Sequence, residues 1–143
     1  MSLVFKNLFI GSFSDAIDPL FLKQNNIKLI VNAAKEIDIN YSMFGIEDMN
    51  VVRLNLDDID SQLLNVNNSL GRTLELMKQY IDQNKGVLVH CRAGVSRSAS
   101  VVIAYLMKYH NMSFKNAYSY LINKRPIVNP NAGFITQLMN FNP

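Results

Sequence analysis

The sequence is poor in cysteine, and its single thiol limits the expected cellular setting. Cys91 is the only cysteine among 143 residues. One thiol cannot form an intramolecular disulfide, so folding does not need an oxidising compartment. We therefore expect a cytoplasmic or nuclear protein.

Long hydrophobic runs and blocks of basic residues are also missing. The longest apolar run, from Val101 to Met107, is far shorter than the roughly 20 residues that a membrane helix needs. The basic side chains give a net charge of +3, but they are scattered singly along the chain. We therefore expect no membrane span and no nucleic-acid partner, although the charge mildly favours anionic partners.

The remaining composition is that of a folded chain. Only 17% of the residues are charged and 49% are hydrophobic, which excludes a disordered chain because enough apolar surface can be buried. No repeat, low-complexity tract or linker interrupts the sequence, so we expect one domain over residues 1–143.

Short apolar runs alternate with helical patterns, which is typical of an α/β domain. The predicted fold is a central, mostly parallel, twisted sheet of four to five strands with helices on both faces. The predicted strands are Leu8 to Ile10, Leu29 to Asn32, Val51 to Leu56 and Val87 to His90.

Helical periodicity predicts five further elements. Apolar residues recur every three to four positions, and Asp18 and Ser113 stand where N-caps are expected. The predicted helices run from Pro19 to about Asn25, from about Leu70 to before Gly86, from Ser98 to Tyr109, from Ser113 to before Pro126, and from Asn131 to Phe141.

The segment from Val87 to Ser100 reads VLVHCRAGVSRSAS and carries the most specific chemical signal. It leads a cysteine from the end of a buried strand into a tight turn that becomes a helix. Such a turn points backbone N–H groups inward, and the helix N-terminus adds roughly half a positive charge. Gly94 permits close wrapping that a Cβ would obstruct. The order predicts an oxyanion site that needs no metal and no cofactor.

Three side chains in this segment suit phosphate chemistry. A thiol at a helix N-terminus beside a guanidinium has a lowered pKa, so Cys91 is expected to be a nucleophilic thiolate. Arg97 can bind two phosphate oxygens with its planar fork. Ser98 can cap the helix or donate a hydrogen bond to the Cys91 sulfur. Each alone could be an inert thiol, a solvated arginine or a simple N-cap, but their joint spacing favours the functional interpretation.

The stretch HCRAGVSRS resembles the HCxxGxxRS signature of the cysteine-dependent protein tyrosine phosphatases, and its AGVSRS part resembles the dual-specificity branch. The similarity extends through KNLFIGSFSDA, IKLIVNAA and KRPIVNPNAGFITQLMNF. The resemblance implies that Cys91 attacks phosphorus, that Arg97 binds the phosphate, and that His90 helps to order the loop. A core histidine at a strand end is an equally good interpretation of His90. The implied backbone cradle comprises Arg92, Ala93, Gly94, Val95 and Ser96.

A leaving tyrosine or serine oxygen needs a proton donor, so a carboxyl group is expected opposite the Cys91 turn. Asp57, Asp58 and Asp60 follow the predicted strand Val51 to Leu56, at the sheet edge where that turn opens. The resemblance implies that Asp58 is the acid. Asp57 stays open as the alternative, and a solvated acidic loop is the plainest interpretation of all three.

The resemblance implies a protein phosphatase that hydrolyses phosphotyrosine and phosphoserine or phosphothreonine monoesters of a phosphoprotein substrate through a phospho-cysteine intermediate. One alternative is a different phosphomonoester, such as a phosphoinositide or an RNA 5′ end, and Arg92 adds a guanidinium that would suit an acidic substrate. A second alternative is a non-catalytic phospho-binding module, the form such domains take when the cysteine or arginine is lost. The sequence predicts no oligomeric state.

Overall fold

One five-stranded sheet forms the centre of the fold. The computed structural model describes residues 1–143, and its strands are β1 (Ser2–Phe5), β2 (Leu8–Gly11), β3 (Ile27–Ala34), β4 (Asn50–Leu56) and β5 (Gly86–His90). The strand order is β1-β2-β5-β3-β4. Strands β1 and β2 are antiparallel, and every other neighbouring pair is parallel. The predicted α/β class and mostly parallel sheet are therefore confirmed.

Six helices surround the sheet. They are α1 (Phe13–Ala16), α2 (Pro19–Gln24), α3 (Ser69–Asp82), α4 (Arg97–Tyr109), α5 (Phe114–Lys124) and α6 (Ala132–Met139), with 3₁₀ turns at Tyr41–Phe44 and Val66–Asn68. The expected caps are present, since Asp18 accepts a hydrogen bond from Phe21 N and Ser113 accepts one from Asn116 N. None of the helices combines the length and the apolar character that crossing a membrane requires.

The predicted strands are all present, and each is one or two residues longer than predicted at one end or, for β3, at both ends. Strand β1 was not predicted, because it is a short edge strand in which only Val4 is buried, and one buried residue gives no alternating pattern. The last helix is shorter than predicted, since Asn131 is its N-cap and Asn140 its C-cap. Helix α1 has only four residues and carries no periodicity that could have predicted it.

Helices cover both faces of the sheet, as predicted. Alternation along β3 directs Leu29 and Val31 into the larger hydrophobic cluster, which α3, α4, α5 and α6 complete. Ile30 points to the other face and joins a smaller cluster that contains residues of α1, α2 and the first 3₁₀ turn. Helix α4 is buried on nearly all sides, so its first turn is held rigidly against the sheet.

The parallel strands bring three loops to one edge of the sheet. Strands β3, β4 and β5 run in the same direction, so their carboxyl ends meet at that edge. The segment after β5 is called here the phosphate loop (residues 91–96), and the segment after β4 the acid loop (residues 57–64). The turn after β3 contains Glu36. These three segments and the first turn of α4 make up the candidate site.

Candidate active site

Every backbone carbonyl of the phosphate loop accepts a hydrogen bond from outside the loop or from α4. Since an amide places its N–H opposite its C=O, carbonyls held outward turn the N–H groups toward the centre of the loop. The donors are His90 Nδ1 to Cys91 O (3.2 Å), Phe13 N to Arg92 O (2.9 Å), Arg125 Nη2 to Ala93 O (3.2 Å), Arg125 Nε to Gly94 O (2.9 Å), Asn129 N to Val95 O (2.8 Å) and Ser100 N to Ser96 O (3.0 Å). The loop is therefore a preformed anion cradle.

Arg125 is a structural partner of the phosphate loop that the sequence analysis did not single out. Its side chain is buried, and its third contact is from Nη1 to Ser2 Oγ (3.1 Å). Gly94 has φ +71°, and a Cβ there would lie 2.5 Å from Arg125 Nη2 and 2.7 Å from Gly11 O. Gly94 is thus required on two grounds, its left-handed backbone and the close approach of its neighbours.

Cys91 is buried at the floor of the loop, where hydrogen bonds favour its ionised form. Burial alone raises the pKa of the thiol, but hydrogen bonds from the Ser98 hydroxyl and from the backbone N–H groups of Ser98, Val95 and Gly94 outweigh it and lower the pKa below its usual value. Ser98 Oγ lies 3.1 Å from Cys91 Sγ. Ser98 does not cap α4, because the N-cap position is Ser96.

We expect Ser98→Ala to raise the pKa of Cys91, because the variant loses a hydrogen bond to the thiolate. The reactive thiolate exists above its pKa, so the acid limb of kcat/KM and the midpoint of thiol alkylation both move to higher pH. Alkylation by iodoacetamide across a pH series measures this midpoint. Ser119→Ala, on the exposed face of α5, is the matched control. An unchanged midpoint in Ser98→Ala would contradict the assignment.

Arg97 is buried in the first turn of α4 and forms an ion pair that the sequence analysis missed. Its Nη1 and Nη2 donate to Glu36 Oε1 (2.5 Å) and Oε2 (2.8 Å), and Nη1 also donates to Leu56 O (3.1 Å). These hydrogen bonds occupy Nη1 and Nη2 of the guanidinium, and Nε has no protein partner. The hydrogen bond to Glu36 is the main cause that raises the pKa of Arg97, and the charges of Glu36, Cys91 and Asp58 add to it.

Glu36 is presented to Arg97 by a braced turn. Arg53 Nη2 donates to Lys35 O (3.2 Å) and Ile37 O (3.1 Å), while Asn32 Nδ2 donates to Ile37 O (2.7 Å). The hydrogen bond from Arg97 lowers the pKa of Glu36 to about 2. The strand-edge reasoning applied to the aspartates after β4 applies equally to a glutamate after β3 and could have found Glu36.

Arg92 lies at the mouth of the loop with an exposed side chain. Its Nε donates to Glu36 Oε2 (3.3 Å), so the two guanidinium groups share one carboxylate. The expectation that Arg92 places a second positive charge beside the site is consistent with this position. Its remaining N–H donors face solvent.

The three aspartates of the acid loop lie in different surroundings. Asp57 pairs with Lys35 (Oδ2 to Nζ, 3.5 Å), and its backbone N–H donates to Gln62 Oε1. Asp58 accepts a hydrogen bond from Asn131 Nδ2 (3.0 Å) and is close enough to Arg97 to raise the pKa of the guanidinium. Of the two candidates for the acid, Asp58 is therefore the one whose charge acts on Arg97.

His90 is fully buried at the end of β5. Burial lowers its pKa, and the hydrogen bond of Nδ1 to Cys91 O opposes that shift only in part, so the ring is neutral with its proton on Nδ1. Its Nε2 and the hydroxyl of Tyr41 have no hydrogen-bond partner, and both residues line one cavity of about 10 Å³. His90 thus contacts the phosphate loop through Cys91 O, and its full burial is also that of a core histidine. No group of three or more His, Cys, Asp or Glu side chains is arranged to hold a metal ion.

A thiol cradled between a strand end and a helix start, with a guanidinium in the first helical turn, defines the class of cysteine-dependent protein phosphatases. The sequence profile of the dual specificity phosphatase catalytic domain matches residues 8–143. The chain belongs to this family. It is therefore the catalytic domain of a protein phosphatase.

Named relatives and solved structures agree with this placement. Dual specificity protein phosphatase 21 of Homo sapiens is 40% identical over 98% of this chain and 70% of its own length. Dual specificity protein phosphatase 18 of Rattus norvegicus is 36% identical over 99% of this chain and 66% of its own length, so the chain spans about two thirds of these relatives. The crystal structure of human DUSP28 has a TM-score of 0.87 at 27% identity, covering 98% of this chain and 94% of that one.

One similar structure carries a different description. The human tyrosine phosphatase-like serine/threonine/tyrosine-interacting protein has a TM-score of 0.85 at 30% identity, covering 98% of this chain and 93% of that chain. Its name describes a phosphatase-like interacting protein, so this fold is also found where the name claims no catalysis. The present chain has both Cys91 and Arg97.

Proposed function

We propose that residues 1–143 form one catalytic domain that hydrolyses phosphotyrosine and phosphoserine or phosphothreonine in phosphoproteins. The single observation that carries the proposal is the outward anchoring of the phosphate-loop carbonyls around Cys91. Inward N–H groups and Arg97 then bind the equatorial oxygens of a phosphate, with no need for a metal. The single cysteine supports a cytoplasmic or nuclear location, and nothing favours a nucleic-acid partner.

The reaction proceeds in two displacements at phosphorus. The Cys91 thiolate attacks phosphorus, the bond to the leaving oxygen breaks, and Asp58 gives that oxygen a proton. Water then attacks the phospho-cysteine, Asp58 takes a proton from the water, and the S–P bond breaks to release inorganic phosphate. The Ser98 hydroxyl stabilises the departing thiolate. Arg97 and the loop N–H groups hold the oxygens in both steps.

We expect Asp58→Asn to reduce kcat roughly 100-fold on phosphotyrosine peptides, because the leaving oxygen loses its proton donor. For an aryl phosphate whose leaving group needs no proton, kcat/KM should be almost normal, because it reports formation of the phospho-cysteine and not its hydrolysis. The alkaline limb of the pH–kcat profile should also disappear. Asp57→Asn, which loses only the contact with Lys35, is the matched control. If Asp57→Asn instead shows the leaving-group dependence, Asp57 is the acid.

We expect Glu36→Gln to lower kcat/KM about tenfold, because Gln keeps the shape of the side chain but loses the charge that orients Arg97. The pKa of Glu36 is lowered to about 2. Its negative charge, which orients Arg97, is therefore fully present above the ordinary carboxyl pKa and is lost only as the pH falls toward 2. The loss of activity should therefore be uniform between about pH 5 and 8. Glu75→Gln, at an exposed pair with Lys108, is the control. A loss that depends on pH would contradict this role.

A substrate panel tests the proposed function against its alternatives. The purified chain with excess chelator is assayed on phosphotyrosine, phosphothreonine and phosphoserine peptides, on phosphoinositide vesicles and on 5′-phosphorylated RNA. Turnover of the peptides far above the other substrates is the expected result. Preference for the lipid or the RNA would replace the substrate class. Phosphopeptide binding without turnover would indicate the binding module.

A further inference from the structure

Asn131, the N-cap of α6, contacts two parts of the candidate site and its own helix at once. Its backbone N–H donates to Ser96 Oγ at the end of the phosphate loop (2.9 Å). Its Oδ1 accepts from Phe134 N (2.9 Å), and its Nδ2 donates to Asp58 Oδ1 (3.0 Å). One residue therefore connects the loop that holds Cys91 with the carboxylate assigned as the acid.

The orientation of the Asn131 amide is fixed by the helix. Oδ1 must face Phe134 N, because an NH₂ group cannot accept that hydrogen bond. Nδ2 must then face the acid loop. Asn131 can therefore cap α6 with Oδ1 and hold Asp58 with Nδ2. Ser or Thr at this position would also cap the helix, but would have no amide group to donate to Asp58.

The rest of the acid loop is docked on the same helix. Gly133 N donates to Asp60 Oδ1 (3.4 Å), and a Cβ at Gly133 would overlap the carbonyl oxygen of Asp60. Gln137 Nε2 donates to Gln62 O (2.8 Å), and its Oε1 accepts from Leu64 N (2.8 Å). The acid loop is therefore held along α6 at several points, and the Asn131 contact is the one that reaches Asp58.

We propose that Asn131 is a positioning residue for the general acid, an inference that rests on the proposed function. By donating to Oδ1, Asn131 prevents that oxygen from carrying the acid proton toward Asn131. The proton is then held on Oδ2, which is left for the leaving oxygen. The backbone N–H of Asn131 also donates to Ser96, so the same residue fixes the position of Asp58 relative to the phosphate loop.

The charged groups around Asp58 are few. Its own loop supplies Asp57 and Asp60, of which Asp57 is paired with Lys35. Helix α4 supplies Arg97, whose charge is shared with Glu36. The first turn of α6 supplies no charged side chain. Asn131 is therefore the α6 group that acts on Asp58.

Two substitutions separate the positioning role from helix capping. Asn131→Ser keeps a capping oxygen but loses the donor, so we expect kcat on phosphotyrosine peptides to fall about tenfold, the scale of one hydrogen bond to a charged group. For an aryl phosphate whose leaving group needs no proton, kcat/KM should be unchanged, because it reports formation of the phospho-cysteine only. Asn131→Asp keeps the cap and places a second carboxylate beside Asp58. It should move the alkaline limb of the pH–kcat profile to higher pH, because like charges disfavour ionisation.

Two controls make the outcomes distinguishable. Ser113→Ala removes the N-cap of α5 and should change neither the leaving-group dependence nor the alkaline limb. In an Asp58→Asn background, Asn131→Ser should cause no further loss. If Asp58→Asn itself shows no leaving-group dependence, the proposed acid fails. If Asp58→Asn behaves as proposed, any of three results would overturn the positioning role. These are equal losses on both substrates in Asn131→Ser, an added loss in the double variant, and an unchanged alkaline limb of the pH–kcat profile in Asn131→Asp.

Discussion

Replacing the nucleophile should produce the largest loss of activity: Cys91→Ser is expected to lower kcat by roughly 10⁵-fold or more, on the scale of nucleophile removal in other enzymes. A serine hydroxyl is almost fully protonated at neutral pH, because the same N–H groups that lower the thiol pKa cannot bring an alcohol into that range. Turnover of an aryl phosphate in the presence of chelator measures the effect.

The Cys91→Ser variant should still bind oxyanions. The cradle is made by backbone N–H groups and Arg97, and the anchors of its carbonyls do not involve the sulfur. Titration with tungstate or a phosphopeptide, followed by thermal unfolding, should therefore show stabilisation similar to that of the wild type. Loss of binding together with activity would indicate that the variant had disturbed the loop. Residual turnover above about 1% of wild type would point to another nucleophile.

The second largest loss is expected from Arg97→Lys, which should lower kcat/KM by roughly 10³- to 10⁴-fold. A guanidinium that stabilises a phosphoryl transition state is worth about 10³–10⁵ in rate in other enzymes. Lysine keeps one positive charge but cannot contact Glu36, Leu56 O and a phosphate at the same time, because it has no planar fork. The loss should be equal for good and poor leaving groups, in contrast to that of Asp58→Asn.

A surface arginine provides the control for this exchange. Arg72 donates to Asn67 O and lies outside the site, so Arg72→Lys should leave kcat/KM unchanged. Thermal unfolding of Arg97→Lys reports whether loss of the ion pair with Glu36 has destabilised the fold. If the unfolded fraction accounts for the lost activity, or if the loss is below tenfold, the role of Arg97 as the phosphate clamp is contradicted.

The Cys91 segment could be interpreted from the sequence because its parts are consecutive in the chain. A buried strand, a tight loop and the first turn of α4 appear in order, and both the glycine and the arginine are needed at fixed positions. The structure places Cys91, Ser98 and Arg97 together as that order predicts. Most helices and strands could also be predicted from consecutive residues, since α3 carries a helical periodicity and β5 a continuous apolar run.

The supporting residues could not be predicted in the same way, because their partners are distant in sequence. Glu36 contacts Arg97 across 61 positions, Arg125 contacts Gly94 across 31, and Asn131 contacts Asp58 across 73. A glutamate in a turn, an arginine after a helix and an asparagine before one all have ordinary surface or capping functions. Only the strand order, with β3 between β4 and β5, brings Glu36 within reach of Arg97.

The proposed reaction passes through a phospho-cysteine intermediate, which can be detected directly. The Asp58→Asn enzyme is mixed with an aryl phosphate whose leaving group needs no proton, so that the intermediate forms but its hydrolysis lacks a base. Acid quenching and peptide mass spectrometry then locate the phosphate. Phosphate is expected on the peptide that contains Cys91, and none is expected in the Cys91→Ser variant. Phosphate on a different side chain, or turnover with no covalent phosphate at any time, would contradict the mechanism.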